Sequence, residues 1–205
     1  MATLPATPAH IGARILLIVA LAIWFAAAAR ASLLGLNNAS PLTLWALFAL
    51  PMTGFILAYL ASASFRAMLD AISLTWLVGA HLWRFIGLVF LFLWTQGQLA
   101  GGFALPAGIG DLIAASGALL LLPALYLGEA SRRWLLLWNV EGFVDLIVAI
   151  TCGALYSVSP IGLLHTADNN TLLMTSFPLS MIPTFFVPSF LLVHLLIFVR
   201  LRRRG

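Results

Sequence analysis

Long uninterrupted apolar runs separated by short polar breaks dominate the chain, and no stretch shows the strict alternation of a half-exposed strand. The runs are about 20 residues long, the length a helix needs to cross a bilayer's hydrocarbon core, so the pattern predicts an all-α membrane bundle and not an outer-membrane barrel. Six spans are expected, at roughly residues 11–30, 42–64, 73–97, 111–128, 137–157 and 178–199, in one domain over 1–205. The longest connections, at 30–41, 98–110 and 158–177, have room for a turn or an interfacial helix.

Composition supports this class. With 63% hydrophobic and 8% charged residues over 205 positions, and a mean hydropathy of +1.10, the chain has too little polar surface to coat a water-soluble domain. Arginine supplies the orientation, because there is no lysine. If the spans alternate, Arg14, Arg66, Arg132, Arg133, Arg200, Arg202, Arg203 and Arg204 share one side and Arg30 alone lies on the other. The positive-inside rule then places both termini in the cytoplasm. The C-terminal arginines need no partner beyond anionic lipid headgroups, and the lack of a soluble basic face argues against nucleic-acid binding.

The Ala-, Leu- and Arg-rich, lysine-free composition resembles that of a GC-rich bacterial genome, which gives the bacterial cytoplasmic membrane as the expected location. Arg14, the apolar residues 15–25 and Ala29-Arg30-Ala31 also resemble a cleavable signal peptide. A retained first span is expected; cleavage would leave five spans in the same orientation. A single cysteine, Cys152, rules out an internal disulfide and a thiolate metal cluster. The sequons Asn38-Ala39-Ser40 and Asn169-Asn170-Thr171 fall on the expected outer side, where a bacterial protein makes no use of them.

Polar residues inside the spans carry the candidate chemistry. Arg84 lies near the middle of the apolar stretch 73–98, one turn after His81. A guanidinium costs at least ~2.5 to 3.5 kcal/mol at a helix centre on insertion scales, so an interior partner or a water-filled cavity must accompany it. Ser73, His81, Gly87, Thr95 and Gln98 stand at −11, −3, +3, +11 and +14 from Arg84, on one helical face. On the fifth span Trp134, Trp138, Glu141, Cys152 and Tyr156 form a stripe around Asp145, and the sixth carries His194 with Ser180 and Pro183. At ~1.5 Å per residue, His81, Asp145 and His194 lie roughly 9 to 12 Å from the same membrane face, with Arg84 one turn deeper. The expected centre, between spans three, five and six, is Arg84 paired with Asp145, flanked by His81 and His194, with Glu141 at its cytoplasmic mouth. The structural alternative is an ion pair that simply locks helices together.

Asp111 is the candidate on the outer side. It follows the glycine-rich, uncharged stretch 97–110 and reads first as the N-cap of the fourth span, or else as part of a re-entrant loop lining an outer vestibule. Prolines mark two other spans. Pro41, Phe48 and Pro51 recur at the spacing of Pro178, Phe185 and Pro188, which fits either a parallel internal repeat or a shared use of proline near a helix start. Pro51, Pro123, Pro183 and Pro188 should free backbone carbonyls that a neighbour must satisfy.

No Gly-x-Ser-x-Gly elbow, His-Glu-x-x-His or paired aspartates at metal spacing occurs, so an ordinary hydrolase is not expected and no resident metal is called for. The leading expectation is transport or binding of a small anion, ion or proton-coupled solute at the polar centre. The redox alternative uses His81 and His194 as axial ligands of haem b, with Arg84 meeting a propionate. An accessory subunit of a membrane complex is a third reading.

Overall fold

The computed structural model describes residues 8–203, without the side chains of residues 8–11, 13 and 14. Arg204 and the Arg14 side chain, both used above for orientation, lie outside that description. The described chain is all helical, 81% overall, with no strand. Helix α1 runs Pro8–Leu33, α2 Leu36–Ala39, α3 Pro41–Ala61 and α4 Ala63–Asp70. The third span is composite: α5 (Leu74–Gly79), a 3₁₀ segment (Ala80–Ile86) and α6 (Gly87–Thr95). Then come α7 (Gly101–Leu127), α8 (Arg132–Leu155), a 3₁₀ turn (Leu172–Thr175), a π-helical segment (Ile182–Phe186) and α9 (Val187–Arg203). Six of these rods, Ile15–Leu33, Pro41–Ala61, Leu74–Thr95, Gly101–Leu127, Arg132–Leu155 and Ile182–Arg203, are long and apolar enough to cross a membrane.

The fourth rod corrects the reading of residues 98–110. Those residues are not a loop: α7 starts at Gly101, ten positions before Asp111, and carries Pro106 and Pro123 in its interior. Helices surrounded by lipid or by other helices tolerate glycine and proline better than helices in water do. The true turn sits just before, where Gly97 has φ +66° and Gln98 N–H donates to Leu93 O at 2.9 Å, a Schellman end to α6. Gly128, at φ +77°, closes α7 in the same way, with Glu129 N–H donating to Ala124 O at 2.8 Å.

Helix α7 is the axis of the bundle. Its buried stripe, Ala104, Ala107, Gly108, Asp111, Ala114, Ala115 and Ala118, recurs at three- and four-residue steps and faces the third span on one side and α8 on the other. The small residues set the distance. A Cβ on Gly87 would come within 2.7 Å of both Gly108 O and the Asp111 Cβ, so the α6–α7 crossing brings the two backbones together. On the α8 side a Cβ on Gly117 would meet the Trp138 ring at 2.6 Å, and the Trp138 indole N–H donates to Ala114 O at 2.8 Å.

The prolines of α3 and of the sixth rod find the neighbour expected for them, and it is shared. Pro51 cannot donate to Leu47 O and Pro188 cannot donate to Thr184 O, each four residues earlier. The Trp24 indole N–H of α1 reaches both carbonyls, at 2.9 Å and 2.9 Å. Trp24 is 7% exposed, and its ring meets Phe185 edge-on. Ser32 of α1 hydrogen-bonds Ser180 at the start of the sixth rod.

The ends of the rods are tied by polar contacts. Arg200 is not simply a headgroup ligand: it is 8% exposed, and its guanidinium donates to Ile72 O and Leu69 O at the end of α4. Arg203 pairs with Asp70 at 2.7 Å and donates to Tyr59 at 3.1 Å. Arg202 remains exposed. At the opposite end the connection 156–176 is strapped onto the bundle, with Ala100 N–H donating to Asn170 O, Thr171 N–H to Tyr156 O and the Thr171 hydroxyl to Gly153 O. There the sequon residue Asn38 bonds Thr175 and Ser176.

Candidate functional site

The third span buries Val78, His81, Arg84, Gly87 and Phe90, one residue in every three. In an α-helix each step of three residues falls about 60° short of a full turn, so that series would spiral away from one neighbour. A 3₁₀ helix has three residues per turn and eclipses i with i+3. Winding Ala80–Ile86 as 3₁₀ therefore aligns His81, Arg84 and Gly87 toward α7 and α8, over a length well beyond the usual three or four residues. Ser73 caps the rod by accepting from Trp76 N–H, while Thr95 and Gln98 are exposed, so the polar face predicted for this span is real only over its middle.

Arg84 is 1% exposed, and each of its three guanidinium nitrogens donates a hydrogen bond. Its Nε donates to Asp111 Oδ1 at 2.6 Å, its Nη1 to Gly142 O at 3.1 Å, and its Nη2 to Asp145 Oδ2. The expected pairing with Asp145 is present, and a second carboxylate joins it from α7. Asp111 is thus not an N-cap. It lies in mid-helix, 8% exposed, and makes the centre a triad drawn from the third, fourth and fifth rods. Each carboxylate gives Arg84 one oxygen and keeps the other without a hydrogen bond among the described residues. Two glycines make the room: a Cβ on Gly110 would overlap the Asp145 carboxylate, and one on Gly142 would stand 3.1 Å from Arg84 Nη1 and 2.7 Å from His194 Cε1.

His194 comes from α9 and meets the triad through Gly142. Asn139 Nδ2 donates to His194 O at 3.2 Å, which leaves Asn139 Oδ1 to accept from His194 Nδ1 at 2.8 Å. His194 Nε2 and both ring nitrogens of His81 are buried without a partner among the described residues, as is Glu141 Oε2. Glu141 is half-buried, one turn before Asp145 on α8.

The two imidazoles do not fit haem. Their ring centroids are 4.2 Å apart and the planes are tilted by 41°, so the rings touch; axial ligands of one iron stand on opposite faces of a macrocycle, for which there is no gap. Trp138 and Phe190 close the other sides of His81 at 5.1 and 5.2 Å. Among the described residues no group of three His, Cys, Asp or Glu side chains is placed to hold a metal ion.

An apolar cavity of about 190 Å³ runs from the end of the bundle that carries Asn37 and Thr175 down to Asp111. Trp45 and Phe48 of α3, Phe90 and Phe103, and Leu146 and Ala149 of α8 form its wall. Asn37 lines its mouth; it is 2% exposed, and both polar atoms of its amide lack a partner among the described residues. Apolar clusters pack beyond the triad on both sides, around Met68, Leu77 and Leu201 at one end and around Phe103 and Met174 at the other.

Sequence reasoning named Asp111 as an outer-loop candidate apart from Arg84, and did not single out Gly110, Asn139 or Gly142. The signal for Asp111 was available: Ala104, Ala107, Gly108, Ala114, Ala115 and Ala118 continue a helical small-residue stripe through it in both directions.

No curated protein and no solved structure matches the chain. A family described as a domain of unknown function, DUF8737, matches residues 41–202, from the first residue of α3 nearly to the end of α9. That stretch holds the triad, both histidines and most of the cavity wall, and leaves α1 outside. The chain belongs to the DUF8737 family.

Proposed function

We propose that this protein is a multi-pass protein of a bacterial cytoplasmic membrane, with both termini in the cytoplasm, that binds and translocates a proton or small cation at the Arg84–Asp111–Asp145 centre. The observation that carries the reading is the ratio of charges: two buried carboxylates share one guanidinium, with Glu141 close by. A locking pair needs one partner for each charge. A centre with a carboxylate in excess, away from water, needs a proton or a cation to balance it. The same count tells against the small anion expected from the sequence, because Arg84 already faces two carboxylates.

The exposed surface supports the membrane assignment. Leu42, Trp76 and Leu120 are each more than three-quarters exposed, a surface suited to acyl chains. The arginines support the orientation, in which the cavity opens outward and Arg202 is left for anionic headgroups.

The test is ion flux into proteoliposomes loaded with a pH-sensitive dye, under an imposed potassium diffusion potential. Wild-type protein should acidify or alkalinise the lumen according to the sign of the potential, and Asp111→Asn should suppress the flux. Vesicles with wild-type protein as tight as those with Asp111→Asn would reduce the triad to a helix lock.

A further inference from the structure

We infer that the cavity above Asp111 is a binding site for a small monoamine: one apolar ring on a short arm ending in an ammonium group. The inference rests on the carboxylate excess argued above and adds a ligand to it. Size comes first. A dry apolar cavity of ~150 Å³ accepts a single benzene ring, so about 190 Å³ accepts a ring with a short arm. The wall is chosen for such a body, with Trp45, Phe48, Phe90 and Phe103 offering ring faces and edges.

The two ends of the cavity differ in chemistry. At the floor Asp111 turns Oδ1 to Arg84 and leaves Oδ2 without a hydrogen bond among the described residues, its side chain 11% exposed. A donor with a positive charge meets both needs of that oxygen, hydrogen bond and charge balance. An anionic head would meet a carboxylate instead. At the mouth the Asn37 amide is buried and unpartnered among the described residues, and a turn of its side chain would bring donors and an acceptor to a hydroxyl or carbonyl on the far side of the ring. Buried orphan amides are uncommon, and a ligand group at the mouth gives this one its partner. Binding of the ammonium and protonation of the carboxylate pair are then exclusive, and each amine that enters releases a proton to solvent.

Titration calorimetry on the purified full chain in detergent tests this with three molecules of equal frame: phenethylamine, 2-phenylethanol and 3-phenylpropionate. Phenethylamine should bind at least about tenfold more tightly than 2-phenylethanol, the value of one charge-assisted hydrogen bond, and 3-phenylpropionate should not bind. Repeating the titration in buffers of different ionisation enthalpy should reveal proton release. Asp111→Asn should erase the preference for the amine. Ala149→Phe, which fills the cavity from α8 one turn beyond Asp145, should abolish amine binding in a protein whose helix content is unchanged. Equal binding of the alcohol, or amine binding that survives Ala149→Phe, would overturn the assignment. Proton flux in liposomes with no binding of the three molecules would remove the ligand and keep the centre; Asp111-dependent amine binding without flux would keep the ligand and remove translocation.

Discussion

Replacing Arg84 by methionine removes three donated hydrogen bonds, two of them to carboxylates, and strands both Asp111 and Asp145. Interhelical polar contacts in membrane proteins average about 0.6 kcal/mol and reach about 1.7, so three of them give roughly 2 to 5 kcal/mol. Breaking a buried pair from one side costs about 3 to 5 kcal/mol, which agrees with the upper part of that range. Asp111→Asn should cost less, about 1 to 2 kcal/mol, because Arg84 keeps Asp145. The decisive quantity is the sign of a second measurement. In the Arg84→Met background, Asp111→Asn deletes a buried carboxylate that has lost its cation, so the same change should become stabilising. Unfolding of the four proteins by SDS in mixed micelles, followed by circular dichroism at fixed detergent composition, reads both legs of the cycle. An Asp111→Asn cost that is the same in both backgrounds would refute the shared-guanidinium argument.

Three further outcomes are expected. Gly110→Ala puts a methyl group where the Asp145 carboxylate lies and should destabilise by about 1 to 3 kcal/mol in the same unfolding assay, whereas Gly54→Ala on α3, which meets open space, should cost nothing. Trp24→Phe removes the indole donor shared by Leu47 O and Thr184 O and should cost about 1 to 3 kcal/mol. Pro51→Ala should restore part of that loss by giving Leu47 O an N–H within its own helix, and no recovery would show that the indole bond is incidental. Reporter fusions after Arg66 and Arg133 should read cytoplasmic and those after Gln98 and Asp168 external; any inversion would overturn the orientation.

Much of the bundle was legible because long apolar runs mark helices of this length, and five of the six rods begin and end within five residues of their expected limits. The fourth failed for one physical reason. Glycine and proline break helices in water, and in residues 97–110 they were read that way, whereas Gly101, Gly102, Gly108 and Gly110 are helical positions where a Cβ would strike a neighbour. That error displaced Asp111 to a helix end and so concealed it from Arg84. The Arg84–Asp145 pairing was legible from position along the rods, since Arg84 stands only about one turn further along than Asp145, a step its long side chain spans. The contact of His194 with Asn139 was not, because it depends on the crossing of α8 and α9, which no periodicity encodes. The recurrence at Pro51 and Pro188 was visible, but its meaning lay in Trp24, a residue of a third helix.

The 3₁₀ segment sets a length as well as a face. Seven residues rise about 14 Å as 3₁₀ and about 10.5 Å as α, and they turn through about 140° more. A relaxation of Ala80–Ile86 to α geometry would therefore draw the two halves of the third span together by about 3.5 Å while rotating Arg84 off Asp111 and Asp145. The stretched winding and the ion pairs hold each other in place: the carboxylates restrain a segment that prefers to shorten, and the segment presents the guanidinium to both of them. Neutralising the carboxylates would remove that restraint, and the shortening would run along the axis of the third rod.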